Sequence, residues 1–274
     1  MTAPKPLQGS TRAKSRRRLP AEERDFLYFA EWTWADLRER PLSSLVAILP
    51  VGAVEAHGPH LPLDTDRLIA EAMAEEGARR LRGESVWALV LPPVCYTPAP
   101  FAANFPGTLS LRAETVIALL TDLATSLERA GIVQLVIANA HLDPAHLQAL
   151  YDSIGRIHAE TQVAVIFPDI TRKPWALELT DEFKSGACHA GCYETSIVMA
   201  SRPELVRDRR RRELQANPES LSRAIWQGHR TFEDAGGSEA YFGDPAAATA
   251  AEGQKTIETL GRIVSEAVLR HLGR

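Results

Sequence analysis

The sequence lacks several features that would define other classes of protein. No stretch reaches the ~18 consecutive apolar residues that a membrane-spanning helix needs, so we expect no membrane partner. Cysteine is scarce, with 3 residues in 274 and no Cys-x-x-Cys pair, which argues against a disulfide framework and indicates reduced thiols in a cytoplasmic protein. Glycine (17) and proline (18) are too few for a fibrous chain, and the 45% hydrophobic share is too high for a disordered one. No Walker, GxGxxG or GxSxG motif supports a nucleotide-cofactor enzyme or a serine hydrolase.

The charge of the chain is small overall but unevenly distributed. Lysine and arginine (31) against aspartate and glutamate (35) give a net charge of −4, which provides no reason to expect nucleic acid as a partner. Residues 1–18 carry six basic side chains and no acidic one, and no apolar run follows them. We therefore predict a disordered basic N-terminal arm over residues 1–25, followed by one domain over residues 26–274.

Four short apolar runs rich in β-branched residues are spaced as the strands of a parallel sheet would be. They cover Leu45–Val51, Val86–Leu91, Val133–Ala138 and Val163–Phe167. Each run is continuous rather than alternating, as expected when helices cover both faces of the sheet. Helical patterns occupy Asp66–Leu81, Arg112–Ala130, Ala145–Ala159, Thr195–Ala200 and Thr249–Leu272. This alternation predicts an α/β fold, a three-layer α/β/α sandwich with a mainly parallel central sheet.

Potential metal ligands collect in three segments, two of which directly follow predicted strands. Residues 52–66 follow the first strand, residues 139–146 follow the third, and residues 188–196 precede a predicted helix. Since ligands bind beyond the carboxyl ends of the strands in open parallel sheets, we expect these segments to meet at one edge. Five of the eight histidines lie in them, namely His57, His60, His141, His146 and His189.

The residue types in these segments favour a catalytic metal centre. Imidazole and carboxylate ligands without thiolate suit Zn, Mn, Fe or Co, whereas structural zinc prefers thiolate-rich sets. A carboxylate such as Asp66 can bridge two ions about 3.5–4 Å apart, which would hold a hydroxide and polarise a carbonyl. Water bound in this way has its pKa lowered from about 15.7 to about 7, which provides a nucleophile at neutral pH.

Several motifs resemble those of the creatininase (creatinine amidohydrolase) family. GAVEAHGPHLPLDTD, at residues 52–66, resembles the family signature, which opens with Glu-x-His and ends in Asp. FPGTLSL (105–111), HAGCYETS (189–196) and GDP (243–245) resemble further family segments in the same order. The similarity covers about residues 27–270, and the chain is identified as a member of that family. The resemblance implies a creatininase-like fold, two divalent cations (Zn, Mn or Fe) per subunit, a small-molecule amide substrate and a homo-oligomer, possibly a hexamer.

The resemblance also implies which residues hold the metal. Glu55, His57 and Asp66 match metal ligands of the family, with Asp66 as the bridging carboxylate, and His141 matches a further ligand histidine. Asp143 stands where creatininase itself has a ligating glutamate. Because Asp143 precedes a proline and a predicted helix, it is either a ligand of the second ion or the helix N-cap.

Other residues are expected to move protons or to contact substrate. His189 resembles the family's catalytic histidine, and Glu194 is either a further ligand or a proton carrier. Asn104 and Thr108 lie near the FPGT turn and are candidate substrate-binding residues. Leu142 stands where creatininase has a tyrosine, and no tryptophan closely precedes His189. The contacts that hold a small planar ring are therefore missing, which disfavours creatinine as the substrate.

Together these features predict a divalent-metal-dependent amidohydrolase that cleaves a non-peptide or cyclic amide, of formamide or lactam type, through a metal-bridged hydroxide. Three alternatives stay open. The chain could be a peptide-trimming maturation hydrolase of the same family, or a non-catalytic binding or scaffold protein. It could also be a mononuclear iron oxidoreductase that uses His57, His141 and one carboxylate as a facial triad. Metal content and oxygen dependence would discriminate the iron enzyme from the hydrolase.

Overall fold

A four-stranded parallel sheet lies at the centre of the computed structural model, which describes residues 26–274. The predicted arm over residues 1–25 lies outside the described residues. Among the described residues, the strands are β1 (Val46–Val51), β2 (Ala88–Val90), β3 (Gln134–Asn139) and β4 (Ala164–Ile166). Their order is β2-β1-β3-β4, and all neighbours pair in parallel. Each strand lies within its predicted run or extends one residue beyond it.

The helices of residues 26–274 alternate with the strands as the sequence predicts. They are α1 (Trp34–Arg38), α2 (Thr65–Gly83), α3 (Ala113–Arg129), α4 (Pro144–Glu160), α5 (Asp181–Ser185), α6 (Cys192–Ser201), α7 (Asp208–Glu213), α8 (Leu221–Gln227) and α9 (Ala250–His271). The five predicted helices correspond to α2, α3, α4, α6 and α9, and α6 begins three residues earlier than expected. No helix of this part of the chain is both long and apolar enough to cross a membrane.

Helices cover both faces of the sheet. Val46 and Ile48 of β1 pack in a buried cluster with α2, α6 and α9. Leu49 and Val51 point to the opposite face and pack with α3 and α4. Because successive residues of a strand point to opposite faces, a continuous apolar run is buried on both sides. The three-layer α/β/α sandwich is confirmed.

The sheet register brings the predicted ligand segments together. β1 and β3 pair along their full lengths and end side by side, with Val51 opposite Asn139. The segment after β1 then passes close to the start of α2. A Cβ at Gly52 would lie 2.7 Å from the backbone nitrogen of Arg67, so only glycine fits this approach.

Candidate metal centre

Five acidic and imidazole side chains converge beyond the carboxyl ends of β1 and β3. Glu55 and His57 lie in the loop after β1, and His141 follows β3. Asp66 and Glu194 lie in the first turns of α2 and α6, where the free N–H groups of a helix favour negative charge. All five side chains are buried.

Asp66 lies between two sets of potential ligand atoms. Its Oδ1 is 3.0 Å from Nε2 of His57, and its Oδ2 is 2.9 Å from Nδ1 of His141. Oε2 of Glu194 lies 3.6 Å from His57 Nε2 and completes the first set. Oε1 of Glu55 lies 3.1 Å from His141 Nδ1 and completes the second set. Within each set the ligand atoms lie within 4.8 Å of one another, so one carboxylate is shared as a bridging ligand requires.

Backbone carbonyls orient the three histidine rings of the site. The contacts are His57 Nδ1 to the Glu55 carbonyl (3.1 Å), His141 Nε2 to the Pro98 carbonyl (2.8 Å) and His189 Nε2 to the Ala56 carbonyl (2.9 Å). Since a carbonyl only accepts, each of these ring nitrogens carries the proton. The other nitrogen of each neutral ring is left with a lone pair directed towards the carboxylates, as in metal-ligating histidines.

These lone pairs require a cation beside the carboxylates. His57 Nε2 and Glu55 Oε2 are buried and have no hydrogen-bond partner. In the metal-free protein a proton on His57 takes the place of the cation. Burial lowers the pKa of His57, but the carboxylates of Asp66, Glu194 and Glu55 outweigh burial and raise it to about 10. A divalent ion would displace that proton, and mixed imidazole and carboxylate donors suit Zn, Mn and Fe. The residues present therefore fit the predicted cations.

His189 and Glu194 differ in charge preference. Burial lowers the pKa of His189 well below its ordinary value, and neighbouring His57 lowers it further, so His189 is neutral. Burial raises the pKa of Glu194 to about 8, although His57 opposes this shift. Oε2 of Glu194 also accepts the N–H of Ala190 at 2.6 Å. Glu194 can therefore change protonation near neutral pH, whereas His189 stays neutral there.

The ring of His189 is held between two other rings. Its centroid lies 4.3 Å from that of His57 and 4.2 Å from that of Phe232. Nδ1 of His189 lies 3.9 Å from Oε1 of Glu55, and His189 forms a third group of potential ligands with Glu55 and His57, outside the two sets that Asp66 joins. This position, beside the ligands and on the cavity wall, is compatible with the expected catalytic role.

Asp143 is the N-cap of α4, one of its two expected roles. Its Oδ1 accepts the N–H of Ala145 at 2.8 Å, and its Oδ2 accepts the N–H of Phe101 at 3.2 Å. Among the described residues it belongs to none of the three potential ligand groups, whereas Glu194 does. Its role as a ligand of the second ion stays a prediction.

The predicted substrate-binding residues lie at different distances from the site. Leu142 lines the cavity above the ligands. Oγ1 of Thr108 accepts the N–H of Ala56 at 3.1 Å, so this residue holds the loop that carries Glu55 and His57. Asn104 is exposed and does not line the cavity. Substrate contacts of all three residues stay predictions.

Two further histidines support the site without joining a ligand group. Nε2 of His146 lies 2.9 Å from Oδ1 of Asn139, whose Nδ2 donates to the carbonyl of His141 at 2.6 Å. Nε2 of His60 lies 2.9 Å from Oγ1 of Thr195, next to Glu194 in α6. Asn139 therefore fixes the backbone of the His141 loop.

A cavity of about 530 Å³ opens onto the ligands. From the sequence, residues 101–108 and 170–188 are predicted to form its walls. In the structure, Phe101 and many residues of the second segment line the cavity. The other wall comes from α8 and Phe232, which sequence reasoning missed. No chemistry-bearing motif marks this region, and a single phenylalanine between polar residues gives no signal of a contact with His189.

Comparisons with known proteins agree with the motifs. A model of the creatininase family, described as creatinine amidohydrolase, matches residues 30–268. Mycofactocin precursor peptide peptidase of Mycobacterium ulcerans is 32% identical over 213 residues, which cover 76% of this chain and 78% of that protein. Creatinine amidohydrolase of Pseudomonas putida is 29% identical over 199 residues, covering 66% of this chain and 74% of that one.

A solved structure described as "Creatininase Mn" shares the fold. Its TM-score is 0.74 at 23% sequence identity, and the match covers 91% of this chain and 100% of that one. The family match spans nearly all of the described residues, and it includes the loops that carry the two ligand sets. The chain therefore belongs to the creatininase family of amidohydrolases.

Proposed function

We propose that the chain hydrolyses an amide with the help of two divalent cations per subunit, Zn, Mn or Fe. Glu55, His57, Asp66, His141 and Glu194 would hold the ions. The observation that carries the proposal is the position of Asp66, whose two carboxylate oxygens face two different histidines at 3.0 and 2.9 Å. We assign Glu194 to the ligands because its Oε2 faces the same nitrogen of His57.

The ions and the protein would contribute different chemistry. Bound divalent cations lower the pKa of water to about 7 and polarise a carbonyl oxygen. Nδ1 of His189 would accept a proton from the attacking water and pass it to the departing nitrogen, because the neutral ring lies beside the ligands and bonds the backbone only through Nε2. General acid–base transfer of this kind typically contributes 10²–10⁴-fold, as an order of magnitude.

Two classes of amide substrate have support. The non-peptide or cyclic amide, of formamide or lactam type, is supported by the similarity to a creatinine amidohydrolase. A peptide bond is the second candidate, supported by the similarity to a mycofactocin precursor peptide peptidase. The cavity of about 530 Å³ also favours this candidate, because it is much larger than a formamide requires. We retain a cytoplasmic location and a homo-oligomer, possibly a hexamer, as parts of the proposal.

The geometry gives less support to a mononuclear iron oxidoreductase. A facial triad would place His57, His141 and one carboxylate around one ion. Among residues 26–274, no group of potential ligands contains both histidines. The two rings instead face opposite oxygens of Asp66.

The test combines metal analysis with a substrate panel. The full chain is purified, treated with a chelator, reloaded with Zn, Mn or Fe, and assayed against formamides, lactams and short peptides with and without oxygen. We expect about two ions per chain and an oxygen-independent hydrolase activity that chelation abolishes and metal restores.

Two isosteric variants make the test specific to the site. Glu55→Gln should lose metal and activity, whereas Glu114→Gln, on an exposed turn of α3, should keep both. One iron per chain with strict oxygen dependence would overturn the proposal. If Glu55→Gln kept its full metal content, these residues would not be the metal site.

A further inference from the structure

The cavity above the candidate metal centre has an apolar body. Its floor contains Glu55, Asp66 and His141, but its walls contain eight large side chains without hydrogen-bonding groups. Six of them are Phe101, Leu142, Phe183, Leu221, Ile225 and Phe232. Polar side chains such as Lys173, Lys184 and Thr171 also line the cavity, but its apolar side chains can bury the apolar part of a substrate.

Backbone hydrogen bonds and ring contacts fix the wall formed by α8 and Phe232. The N–H of Phe232 donates to the carbonyl of Phe101 at 3.0 Å, and the Phe232 carbonyl accepts from Gly237 at 2.7 Å. The aromatic rings of Phe101 and Phe232 lie 6.0 Å apart. Ser220 caps α8 and also donates its hydroxyl proton to the carbonyl of Ser185 at 2.9 Å. A substrate would therefore meet a preformed surface, which avoids an ordering cost on binding.

We propose that this wall selects amides carrying a bulky apolar group near the scissile bond, and that Ile225 and Phe232 determine this specificity. The inference rests on the proposed function, since the amide has to reach the metal ligands. Each methylene buried against the wall should improve affinity about fourfold. A small polar amide gains nothing from this wall, because it leaves the apolar side chains in contact with water.

Two hydroxamic acids of different length test the proposal by binding rather than by turnover. Hydroxamates chelate divalent cations, so acetohydroxamic acid and octanohydroxamic acid present the same head group with tails that differ by six methylenes. Calorimetry on the zinc-loaded full chain gives both dissociation constants. We expect octanohydroxamic acid to bind at least about 100-fold more tightly, as required if most of its methylenes are buried.

Variants of adjacent residues locate the effect on the wall. Ile225 lines the cavity and is half-buried, whereas its neighbour Trp226 is 87% exposed and lies outside the cavity. Ile225→Asp should lower the ratio of the two affinities at least about tenfold, and Trp226→Asp should leave it unchanged. Ile225→Ala is a milder change that should lower the ratio severalfold. It tests the same contact if Ile225→Asp does not fold.

The outcomes separate the two proposals. Similar affinities for both hydroxamic acids on a zinc-loaded chain would overturn the apolar selectivity and leave the metal site standing. Failure of the chain to retain zinc, or failure of both acids to bind the loaded chain, would overturn the proposed function. An equal fall of the ratio in the Ile225 and Trp226 variants would show that the wall is not what selects the tail.

Discussion

Nε2 of His57 lies 3.0 Å from Oδ1 of Asp66, and each residue is 1% exposed. The ring directs its other nitrogen to a backbone carbonyl, so Nε2 of the neutral ring has a lone pair facing the carboxylate. Two lone pairs this close repel each other unless a proton or a metal ion lies beside them. The pair is therefore arranged for a cation, and the second oxygen of Asp66 extends the arrangement to His141.

Removing the carboxylate of Asp66, which both ligand sets share, should release more metal ions than removing a ligand that belongs to one set. We expect Asp66→Asn to lose both ions, since the amide offers one weak acceptor oxygen and no charge. Glu194→Gln should retain about one ion, because the set formed by Glu55, Asp66 and His141 stays complete. Elemental analysis of the dialysed proteins gives the metal content, and circular dichroism confirms that each variant is folded. Retention of one ion by Asp66→Asn would contradict the bridging assignment.

A side chain that touches no ligand atom should also affect metal affinity. Asn139 donates to the His141 carbonyl at 2.6 Å, and its Oδ1 lies 2.9 Å from Nε2 of His146. Asn139→Ala releases the loop and should weaken zinc binding about 10–100-fold, as loss of an outer-shell partner typically does. Competition with a chromophoric chelator measures the affinity, and Gln148→Ala on the exposed face of α4 is the control. An affinity equal to that of the unmodified chain would show that the loop is held by other contacts.

The elements of the sheet and its covering helices could be predicted because their signals are local. A run such as Leu45–Val51 is apolar at every position, and a helix such as α9 repeats its apolar residues every three or four positions. Bounds were less predictable at α6. Its first turn contains Cys192 and Glu194, which the sequence marks as site residues rather than as part of a helix.

The candidate site was predictable in composition but not in detail. Glu55, His57 and Asp66 are close in sequence, so their proximity follows from one loop. The choice between Asp143 and Glu194 depends on where helix N–H groups point. Asp143 accepts a hydrogen bond from a backbone N–H at the start of α4. The residue types allow this capping role, but they cannot distinguish it from metal binding. The contact between Phe232 and His189 joins distant segments and leaves no trace in either one.

Buried His60 should make the metal-free protein less stable as the pH falls. Burial lowers the pKa of His60 from 6.5 to about 4, with a further contribution from His57. Because the unfolded chain binds the proton first, stability is lost as the pH falls from about 6.5 to about 4, by up to ~3 kcal/mol. His60→Gln cannot gain that proton and should show a shallower loss over this range. Urea unfolding of both metal-free proteins at several pH values measures the difference, and parallel curves would contradict the prediction.

Two helical glycines should respond to alanine in opposite directions. A Cβ at Gly253 in α9 would lie 1.8 Å from the backbone carbonyl oxygen of Ser196 in α6, so the two helices touch there through their backbones. A Cβ at Gly155 in α4 would meet no atom within 4 Å. Gly155→Ala should therefore raise the free energy of unfolding by about 1 kcal/mol, because alanine loses less conformational entropy in a helix. Gly253→Ala should lower it by about 3 kcal/mol or more, because neither backbone can move without separating α6 from α9. Both values come from urea denaturation of the metal-loaded chain, and a stabilising effect of Gly253→Ala would mean that the two helices do not pack this closely.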